Sequence, residues 1–336
     1  MRLAGKKTVV TGACGFIGSH LTERLVRAGA EVTAFVMYQP DGSTGWLDAI
    51  PQDVRSQLRI VAGDIRDSYA VRKALTGQQI VFHLAALIGI PYSYHAPESY
   101  VDTNIKGTLH VLQAVRELEL ERLIHTSTSE VYGSACYVPM SETHPLQGQS
   151  PYAATKIGAD QLAASFHYAF HTPVVTIRPF NTYGPRQSLR AVLPTILAQL
   201  SSGLPVLRLG ALHPTRDFTF VQDTVSGFLA AADAPGAVGE SINLGSGFEI
   251  SIGELAKLAA DALGVEAVIE TEQLRLRPED SEVTRLCADN TKARRLLHWT
   301  PDYDGREGLL RGMLETAEWL GSSGHLERYA SRGYHL

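Results

Sequence analysis

Lys7-Thr-Val-Val-Thr-Gly-Ala-Cys-Gly-Phe-Ile-Gly18 is the stretch that decides the fold of this 336-residue chain. Within it, Thr8-Val-Val-Thr11 is a short β-branched run that predicts a buried strand, and glycines then recur at every third position. After the glycines, Leu21, Leu25 and Val26 have the spacing of one helix face. A strand, a glycine turn and a helix in this order predict the first unit of a parallel sheet that binds a dinucleotide.

The three glycines suit the backbone of a dinucleotide-binding turn. Gly12 permits the tight turn after the strand, Gly15 lets the backbone approach a pyrophosphate, and Gly18 lets the helix pack on the strand. The helix N-terminus adds N–H donors and the positive end of its dipole, and both favour phosphate. The spacing differs from the usual Gly-x-Gly-x-x-Gly, but the position between strand and helix is the expected one. We therefore predict cofactor contacts at Gly12, Cys14, Gly15, Phe16, Ile17 and Gly18.

Short apolar runs bounded by turn signals recur through the first half of the chain, at 31–36, 58–62, 80–84 and 122–126. Segments between some of these runs, such as 108–115, have helical spacing. Alternating strands and helices predict an α/β fold, a Rossmann-like doubly wound parallel sheet with a smaller, interleaved C-terminal substrate-binding domain. Ligands of such a sheet bind beyond the carboxyl ends of its strands. Further cofactor contacts are therefore predicted at Asp64, Ile65, Leu84, Ala85 and Ala86.

The predicted domains are not contiguous in sequence. The dinucleotide domain is expected to span 1–180 with parts of 215–250. The substrate domain is expected to span 181–214 and 250–320, and a Gly/Ser-rich tail covers 321–336.

The sequence favours NAD over NADP without deciding between them. The second strand ends at Phe35-Val-Met-Tyr38, without the acid that commonly binds the adenosine ribose. No Arg or Lys lies between Arg27 and Arg55 to hold a 2′-phosphate. We therefore expect NAD and leave NADP open, with Asp64 placed to accept a hydrogen bond from the adenine amino group.

Composition and charge restrict the class of protein. The chain is 44% hydrophobic and 19% charged, its net charge is −5, and no Lys/Arg cluster indicates a nucleic-acid or membrane partner. A strand begins at Lys7, which leaves no room for a signal peptide, and no apolar run is long enough to cross a bilayer. Cys14, Cys136 and Cys287 are widely spaced and lack histidine partners at metal spacing. We expect reduced thiols, no metal site and a cytoplasmic protein.

Two short strings carry the candidate chemistry. Tyr152 and Lys156 are four residues apart, so on a helix they share a face. A phenol is a poor base at neutral pH, but a nearby ammonium lowers its pKa, and the pair can then take a proton from a hydroxyl whose carbon loses hydride. Upstream, Thr128-Ser129-Glu130 adds a carboxylate. A second base suits an enzyme that oxidises one carbon and then removes the acidified proton of its neighbour.

Motifs along nearly the whole chain resemble those of the extended short-chain dehydrogenases/reductases that act on nucleotide sugars. They are Thr11–His20, Gly63–Asp67, His83–Ala86, Asn104–Thr108, Ser127–Gly133, Tyr152–Lys156, Arg178–Pro185, Arg216–Asp223 and Leu276–Glu279. Ile90–Tyr94 and Pro214–Phe218 are similar to bacterial 4,6-dehydratases of the legionaminic-acid type, which act on N-acetylglucosamine nucleotides. The resemblance implies a lyase that uses its bound nicotinamide as a temporary hydride store and makes a 4-keto-6-deoxy sugar from UDP- or GDP-N-acetylglucosamine.

The same resemblance implies a role for each catalytic candidate. Tyr152 would take the proton of the sugar C4 hydroxyl, and Lys156 would hold the phenolate and bind the nicotinamide ribose. Thr128 would orient the C4 oxygen, and Glu130 would remove the C5 proton. Ser129 departs from the glucose-type dehydratases, which have an Asp there to protonate the leaving hydroxyl, so Glu130 would pass the C5 proton on to the leaving group. Decarboxylases of the family have residues similar to Thr-Ser-Glu at this position. The alternatives to a dehydratase are therefore a decarboxylase or a 4-epimerase, and a non-catalytic dinucleotide-binding protein is a remote alternative.

The second half supplies the substrate candidates by resemblance. Asn181 would bind the pyrophosphate or the sugar, Arg216 and Arg277 would hold phosphate, and Arg190 is a weaker candidate. Planar guanidinium groups suit diphosphate oxygens. Relatives form a four-helix interface from the segments near 99–118 and 151–170, so the resemblance also implies a homodimer.

Overall fold

The protein is described here from a computed structural model that covers residues 3–203 and 206–322. Its strands in chain order are β1 Lys7–Thr11, β2 Glu31–Val36, β3 Arg59–Ala62, β4 Ile80–His83, β5 Arg122–Thr126, β6 Val174–Pro179, β7 Asn181–Tyr183, β8 Val206–Leu209, β9 Thr215–Phe220, β10 Ser241–Leu244, β11 Glu249–Ser251 and β12 Val268–Thr271. Its α-helices are α1 Phe16–Arg27, α2 Gln52–Arg55, α3 Ser68–Leu75, α4 Ile90–His95, α5 Pro97–Tyr100, α6 Gly107–Glu117, α7 Pro151–Phe170, α8 Val192–Ser201, α9 Val221–Asp233, α10 Ile252–Leu263, α11 Thr291–Leu297 and α12 Gly305–Gly321. A π-helical segment, Val101–Lys106, joins α5 to α6.

Seven parallel strands form the main sheet in the order β10-β6-β5-β4-β1-β2-β3. Its central strands are almost fully buried because helices cover both faces, which explains why they read as continuous apolar runs rather than alternating ones. The order reverses on either side of β1 and β4, as in a doubly wound sheet. The predicted Rossmann-like α/β fold is confirmed.

A smaller region is built from the C-terminal half. It contains a three-stranded sheet, β11-β9-β7, and a two-stranded pair, β12-β8. Although β10 comes late in sequence, it pairs with β6 in the main sheet, so the two halves of the chain interleave. The exact domain boundaries stay a prediction, and most of the predicted tail, from 323 onward, lies outside the described residues.

Local sequence signals begin two of these helices. Ser150 caps α7 by accepting from the Ala153 N–H at 3.1 Å, and Pro151 follows at the first helical position. Ser251 and Glu254 form a reciprocal capping box at the start of α10. In the described ranges, no helix combines the length and the apolar character needed to span a membrane.

Candidate active site

The glycine turn has no room for a side chain at Gly12 or at Gly18. Gly12 has φ +70°, and a Cβ there would lie 2.8 Å from the Ala85 nitrogen. A Cβ on Gly18 would lie 2.2 Å from the Gly12 carbonyl oxygen, so only glycine lets α1 approach the turn. No side chain caps the N-terminus of α1 at Gly15, and its first N–H groups remain as donors. This cradle fits the diphosphate of a dinucleotide.

Other predicted cofactor residues lie at the carboxyl ends of neighbouring strands. The Leu84 and Ala85 N–H groups donate to the Thr11 hydroxyl at 3.1 and 3.2 Å, which fixes the turn after β4 against the turn after β1. Asp64 follows β3 and pairs with Arg66 at 2.6 Å, and the hydrogen bond from that guanidinium lowers the pKa of the carboxyl. The other predicted cofactor contacts lie on these turns or at the start of α1: Cys14, Phe16, Ile17, Ile65 and Ala86. Their contact with a cofactor stays a prediction.

The Thr128-Ser129-Glu130 string lies in a 3-10 turn, Ser129–Tyr132, directly after β5. The Thr128 hydroxyl accepts from the Glu130 N–H at 3.2 Å and so holds the turn in place. Ser129 and Glu130 are both buried, at 3% and 9% exposure. The Glu130 carboxylate is shielded from bulk solvent and lies at the sheet edge where ligands of this fold bind, so it is a candidate for contact with the substrate.

Tyr152 lies in the first turn of α7, beside the β5 turn. Its phenol is buried near the Thr128 hydroxyl. Burial raises the pKa of Tyr152 above its usual value; the Thr128 hydroxyl opposes this rise and the charge of Glu130 adds to it. The expectation that Lys156 lowers this pKa is not met in the ligand-free protein, because burial dominates.

Lys156 is directed at the end of β5. Its ammonium donates to the Thr126 carbonyl at 2.6 Å. Burial lowers the pKa of Lys156 to about 8, and the charge of Asp160 opposes that shift. Lys156 and Tyr152 therefore share a helix face, as the spacing predicted, and Lys156 is close to losing its proton in the physiological range.

A buried polar cluster lies beneath this pair. The Asp160 carboxylate accepts from Ser127 at 2.7 Å and from His125 at 3.1 Å, and it forms an ion pair with Arg178 at 3.1 Å. Burial alone would raise the pKa of Asp160, but these donors and the Arg178 charge hold it below its usual value. The carboxylate is therefore ionised and connects α7, β5 and β6.

Two predicted phosphate ligands meet on one carboxylate. Arg216 donates to Glu282 at 2.9 Å, and the Arg277 guanidinium lies 3.7 Å from the same oxygen. Burial lowers the pKa of Arg216, while the negative charge of Glu130 raises it. Because Glu130 acts on Arg216 in this way, the arginine pair lies on the side of the site that contains the catalytic turn. Two guanidinium groups around one anion form the arrangement expected for a diphosphate.

Two predicted substrate residues carry buried polar atoms that form no hydrogen bond within the described ranges. They are the Asn181 side-chain oxygen and the Arg277 terminal nitrogen that lies 3.7 Å from Glu282. A buried group of this kind costs free energy unless a ligand or water completes it. Both atoms therefore mark places where a bound substrate could donate or accept.

Arg190 lies apart from the other two arginines. Its side chain is exposed beside Tyr100, on a cavity of about 270 Å³ lined also by Ala86–Gly89 and Tyr92. The Tyr100 ring contacts the Tyr152 ring edge-on at 6.3 Å, so this cavity adjoins the catalytic tyrosine. Arg190 can therefore face the sugar side of a substrate, whereas Arg216 and Arg277 form a separate cationic pair.

The sequence reading missed two charged residues of this region. Glu282 follows Arg277 by five residues and gives no local signal that it will bridge two arginines. Asp160 follows Lys156 by four residues, so helical spacing could have placed it on the catalytic face. Within residues 3–203 and 206–322, no three His, Cys, Asp or Glu side chains are grouped as metal ligands, and all three cysteines are free thiols.

Comparison with known proteins gives a consistent family. A family model described as GDP-mannose 4,6 dehydratase matches residues 9–311. A UDP-glucose 4-epimerase of Mycolicibacterium smegmatis is 32% identical over 316 residues, covering 91% of this chain and 96% of that protein. A dTDP-glucose 4,6-dehydratase of an Actinoplanes species is 34% identical over 266 residues, covering 78% and 83%.

A solved structure agrees with these sequence matches. UDP-glucuronic acid 4-epimerase from Bacillus cereus, in complex with UDP-glucuronic acid and NAD, has a TM-score of 0.84 at 30% identity, covering 94% of this chain and 98% of that one. Epimerases and dehydratases are thus comparably similar to this chain. The protein is therefore an enzyme of the GDP-mannose 4,6-dehydratase family, within the extended short-chain dehydrogenases/reductases that comprise nucleotide-sugar dehydratases and epimerases.

Proposed function

We propose that this enzyme is an NAD-dependent 4,6-dehydratase of UDP- or GDP-N-acetylglucosamine. The observation that carries the proposal is Glu130, a buried carboxylate next to the Tyr152 phenol on the catalytic turn. Epimerisation at C4 needs one acid–base group, whereas dehydration needs a second base for the C5 proton. Similarity of the Ile90–Tyr94 and Pro214–Phe218 motifs to legionaminic-acid-type enzymes supports the N-acetylglucosamine nucleotide.

The glycine turn and the catalytic helix would hold the cofactor. Gly12, Gly15 and Gly18 with the α1 N-terminus would bind its diphosphate, and Lys156 would bind its nicotinamide ribose. When bound, NAD would supply reversible hydride storage between C4 and C6 of the sugar, and its positive charge would favour an ionised phenol. The 2′-hydroxyl form of the cofactor is proposed because the structurally similar epimerase contains NAD.

The chain's own residues would move the protons. Tyr152 would accept the C4 hydroxyl proton while Thr128, whose hydroxyl lies near the phenol, would orient the C4 oxygen. The resulting C4 ketone acidifies C5, and Glu130 would remove that proton. Since the Ser129 hydroxyl is a weak acid, Glu130 would give this proton to the C6 hydroxyl, which leaves as water. A proton from solvent at C5 and the stored hydride at C6 would complete the 4-keto-6-deoxy product, and Tyr152 would release the C4 hydroxyl proton to solvent before the next turnover.

The substrate's charged part would bind at the arginine pair. Arg216 and Arg277 would hold the diphosphate, and the unsatisfied Asn181 oxygen would accept a hydrogen bond from the sugar nucleotide. Arg190 would face the sugar from the cavity beside Tyr100. The similarity to a protein that binds UDP-glucuronic acid supports a nucleotide sugar in this cleft.

The alternative on the same scaffold is a 4-epimerase. It is favoured by the M. smegmatis and B. cereus relatives, which are as similar to this chain as the dehydratase is. A decarboxylase is the other alternative, because the decarboxylases of this family resemble the chain at Thr128-Ser129-Glu130. The homodimer and the cytoplasmic location stay predictions.

Mass spectrometry of products separates the three reactions. The purified enzyme would be incubated separately with UDP-N-acetylglucosamine, GDP-N-acetylglucosamine and UDP-glucuronate, in D₂O as well as water. A dehydratase yields a product lighter by one water that carries solvent deuterium at C5. An isomer of unchanged mass without deuterium at C5 would establish the epimerase, and loss of carbon dioxide from the glucuronate would establish the decarboxylase.

A further inference from the structure

The buried cluster below the catalytic pair joins α7 and β5, which carry or precede the catalytic residues, to β6. Asp160 is 4% exposed and lies on α7, one helical turn after Lys156. Its oxygens accept from Ser127 at 2.7 Å and from His125 at 3.1 Å, both on or directly after β5. The catalytic turn Thr128–Glu130 begins at the next residue after Ser127.

The carbonyl that holds Lys156 lies between those two anchors. Thr126 follows His125 and precedes Ser127, and its carbonyl accepts from the Lys156 ammonium at 2.6 Å. Fixing the side chains on both sides of Thr126 therefore fixes its carbonyl as well. The third partner, Arg178 on β6, ties the same carboxylate to the strand that leads to Asn181.

We propose that Asp160 is a positioning residue of this active site, whose carboxylate locks onto α7 the end of β5 and with it the Thr126 carbonyl that holds Lys156. It acts through Lys156 and the β5 turn rather than on the reacting atoms. The inference rests on the proposed function for the role of Lys156, but the contacts themselves do not depend on which nucleotide sugar is turned over.

Asp160, one helical turn from Lys156 on α7, is the anion whose charge acts on the Lys156 ammonium. His83 on β4 and His125 on β5 both face Lys156, and burial lowers the pKa of each imidazole, so both are neutral at physiological pH. Arg178 on β6 is a cation, and Tyr152 on α7 is a neutral phenol. Lys156 and Arg178 are positive and Asp160 is negative, so these three groups sum to one positive charge, which offsets the negative charge of Glu130 near the Tyr152 phenol.

The test is Asp160→Asn, which keeps the shape and removes the charge. The Lys156 side chain would be titrated by NMR in substrate-free protein labelled with ¹³Cε-lysine, with its signal assigned from the Lys156→Arg variant. The midpoint of this titration should move to lower pH by about one pH unit or more. The midpoint of the alkaline decrease in kcat should move to lower pH as well, while KM for the nucleotide sugar stays within about twofold of wild type. A folded Asp160→Asn protein with an unshifted Lys156 titration would overturn the proposal.

Two further variants keep the test decisive. Asp261→Asn changes an exposed carboxylate on α10 and should leave both the titration and kcat unchanged. If Asp160→Asn fails to fold, Ser127→Ala removes one anchor of the β5 end, and kcat should fall several-fold with KM unchanged; an unaltered kcat would overturn the proposal. Because the NMR titration needs no substrate, its result is independent of the product assay that tests the dehydratase.

Discussion

Replacing Gly18 by alanine tests the packing on which the cofactor site depends. The added Cβ would lie 2.2 Å from the Gly12 carbonyl oxygen, 2.9 Å from the Gly12 carbonyl carbon and 3.0 Å from the Ala13 Cα. The shortest of these distances is roughly 1 Å inside ordinary van der Waals contact. All three neighbours are backbone atoms that cannot rotate away, so α1 must shift away from the glycine turn.

The expected magnitude is the difference of two effects. Overpacking of this kind costs about 1–3 kcal/mol, and a backbone clash belongs at the upper end. Alanine gains about 1 kcal/mol over glycine inside a helix. The free energy of unfolding should therefore fall by about 2 kcal/mol. NAD affinity should fall at least about tenfold, because the N–H donors of the α1 N-terminus move with the helix.

Urea denaturation followed by circular dichroism, and calorimetric titration of NAD into the stripped enzyme, would measure both quantities. Gly253→Ala is the matched control, since Gly253 also lies in the first turn of a helix but a Cβ there would meet its nearest atom at 3.6 Å. The control should be as stable as wild type or more stable, with unchanged NAD affinity. Wild-type stability and NAD affinity in Gly18→Ala would refute the reasoning.

Four other changes have expected outcomes. Tyr152→Phe should lower kcat about 10²–10⁴-fold in steady-state assays with unchanged NAD affinity, because the proton acceptor is lost. Since the folded pKa of Lys156 is about 8, below that of the unfolded chain, the unfolded state binds more protons above pH 8. Between pH 8 and pH 9, the free energy of unfolding of wild type, measured in urea, should therefore increase by up to about 1 kcal/mol more than that of Lys156→Met. Arg277→Ala should raise KM for the nucleotide sugar about tenfold or more in initial-rate assays, with a smaller effect on kcat, because it removes binding to an unreactive diphosphate. Asn104→Ala should lower the free energy of unfolding by about 2 kcal/mol in urea, because it strands the Leu87 N–H and carbonyl that the amide now pairs.

Each of these predictions has a result that contradicts it. Near-normal kcat in Tyr152→Phe would remove its role as base, and parallel pH dependence of wild type and Lys156→Met would show that the lysine is not strained by burial. An unchanged KM in Arg277→Ala would place the diphosphate elsewhere. Wild-type stability of Asn104→Ala would mean that the loop after β4 finds other partners.

Much of the cofactor site follows from local sequence. The β-branched run at Thr8–Thr11 and the glycines after it predict a strand, a turn and a helix, because glycine adopts the positive φ of Gly12 without strain and has no Cβ to clash at Gly12 or Gly18. Tyr152 and Lys156 share a face because helical spacing is fixed by the backbone. Ser150 and the Ser251–Glu254 box cap their helices through neighbours in sequence.

The charge states of the site could not be predicted in the same way. Spacing suggested that Lys156 would lower the Tyr152 pKa, yet burial raises it and Lys156 binds the Thr126 carbonyl instead. Desolvation depends on every atom packed around a group, and those atoms come from distant parts of the chain. Glu282 likewise became visible only when folding brought it to Arg216, 66 positions away in sequence.

What the sequence by itself determined is therefore the set of chemical groups and their local geometry: the glycine turn, the tyrosine–lysine face and the Thr128–Glu130 string. Only the tertiary structure decided how those groups are joined, with Asp160 linking α7, β5 and β6 and Glu282 linking two arginines. The physical reason is range. Helical and turn preferences act over a few residues, whereas burial and charge act through space between segments that are far apart in sequence.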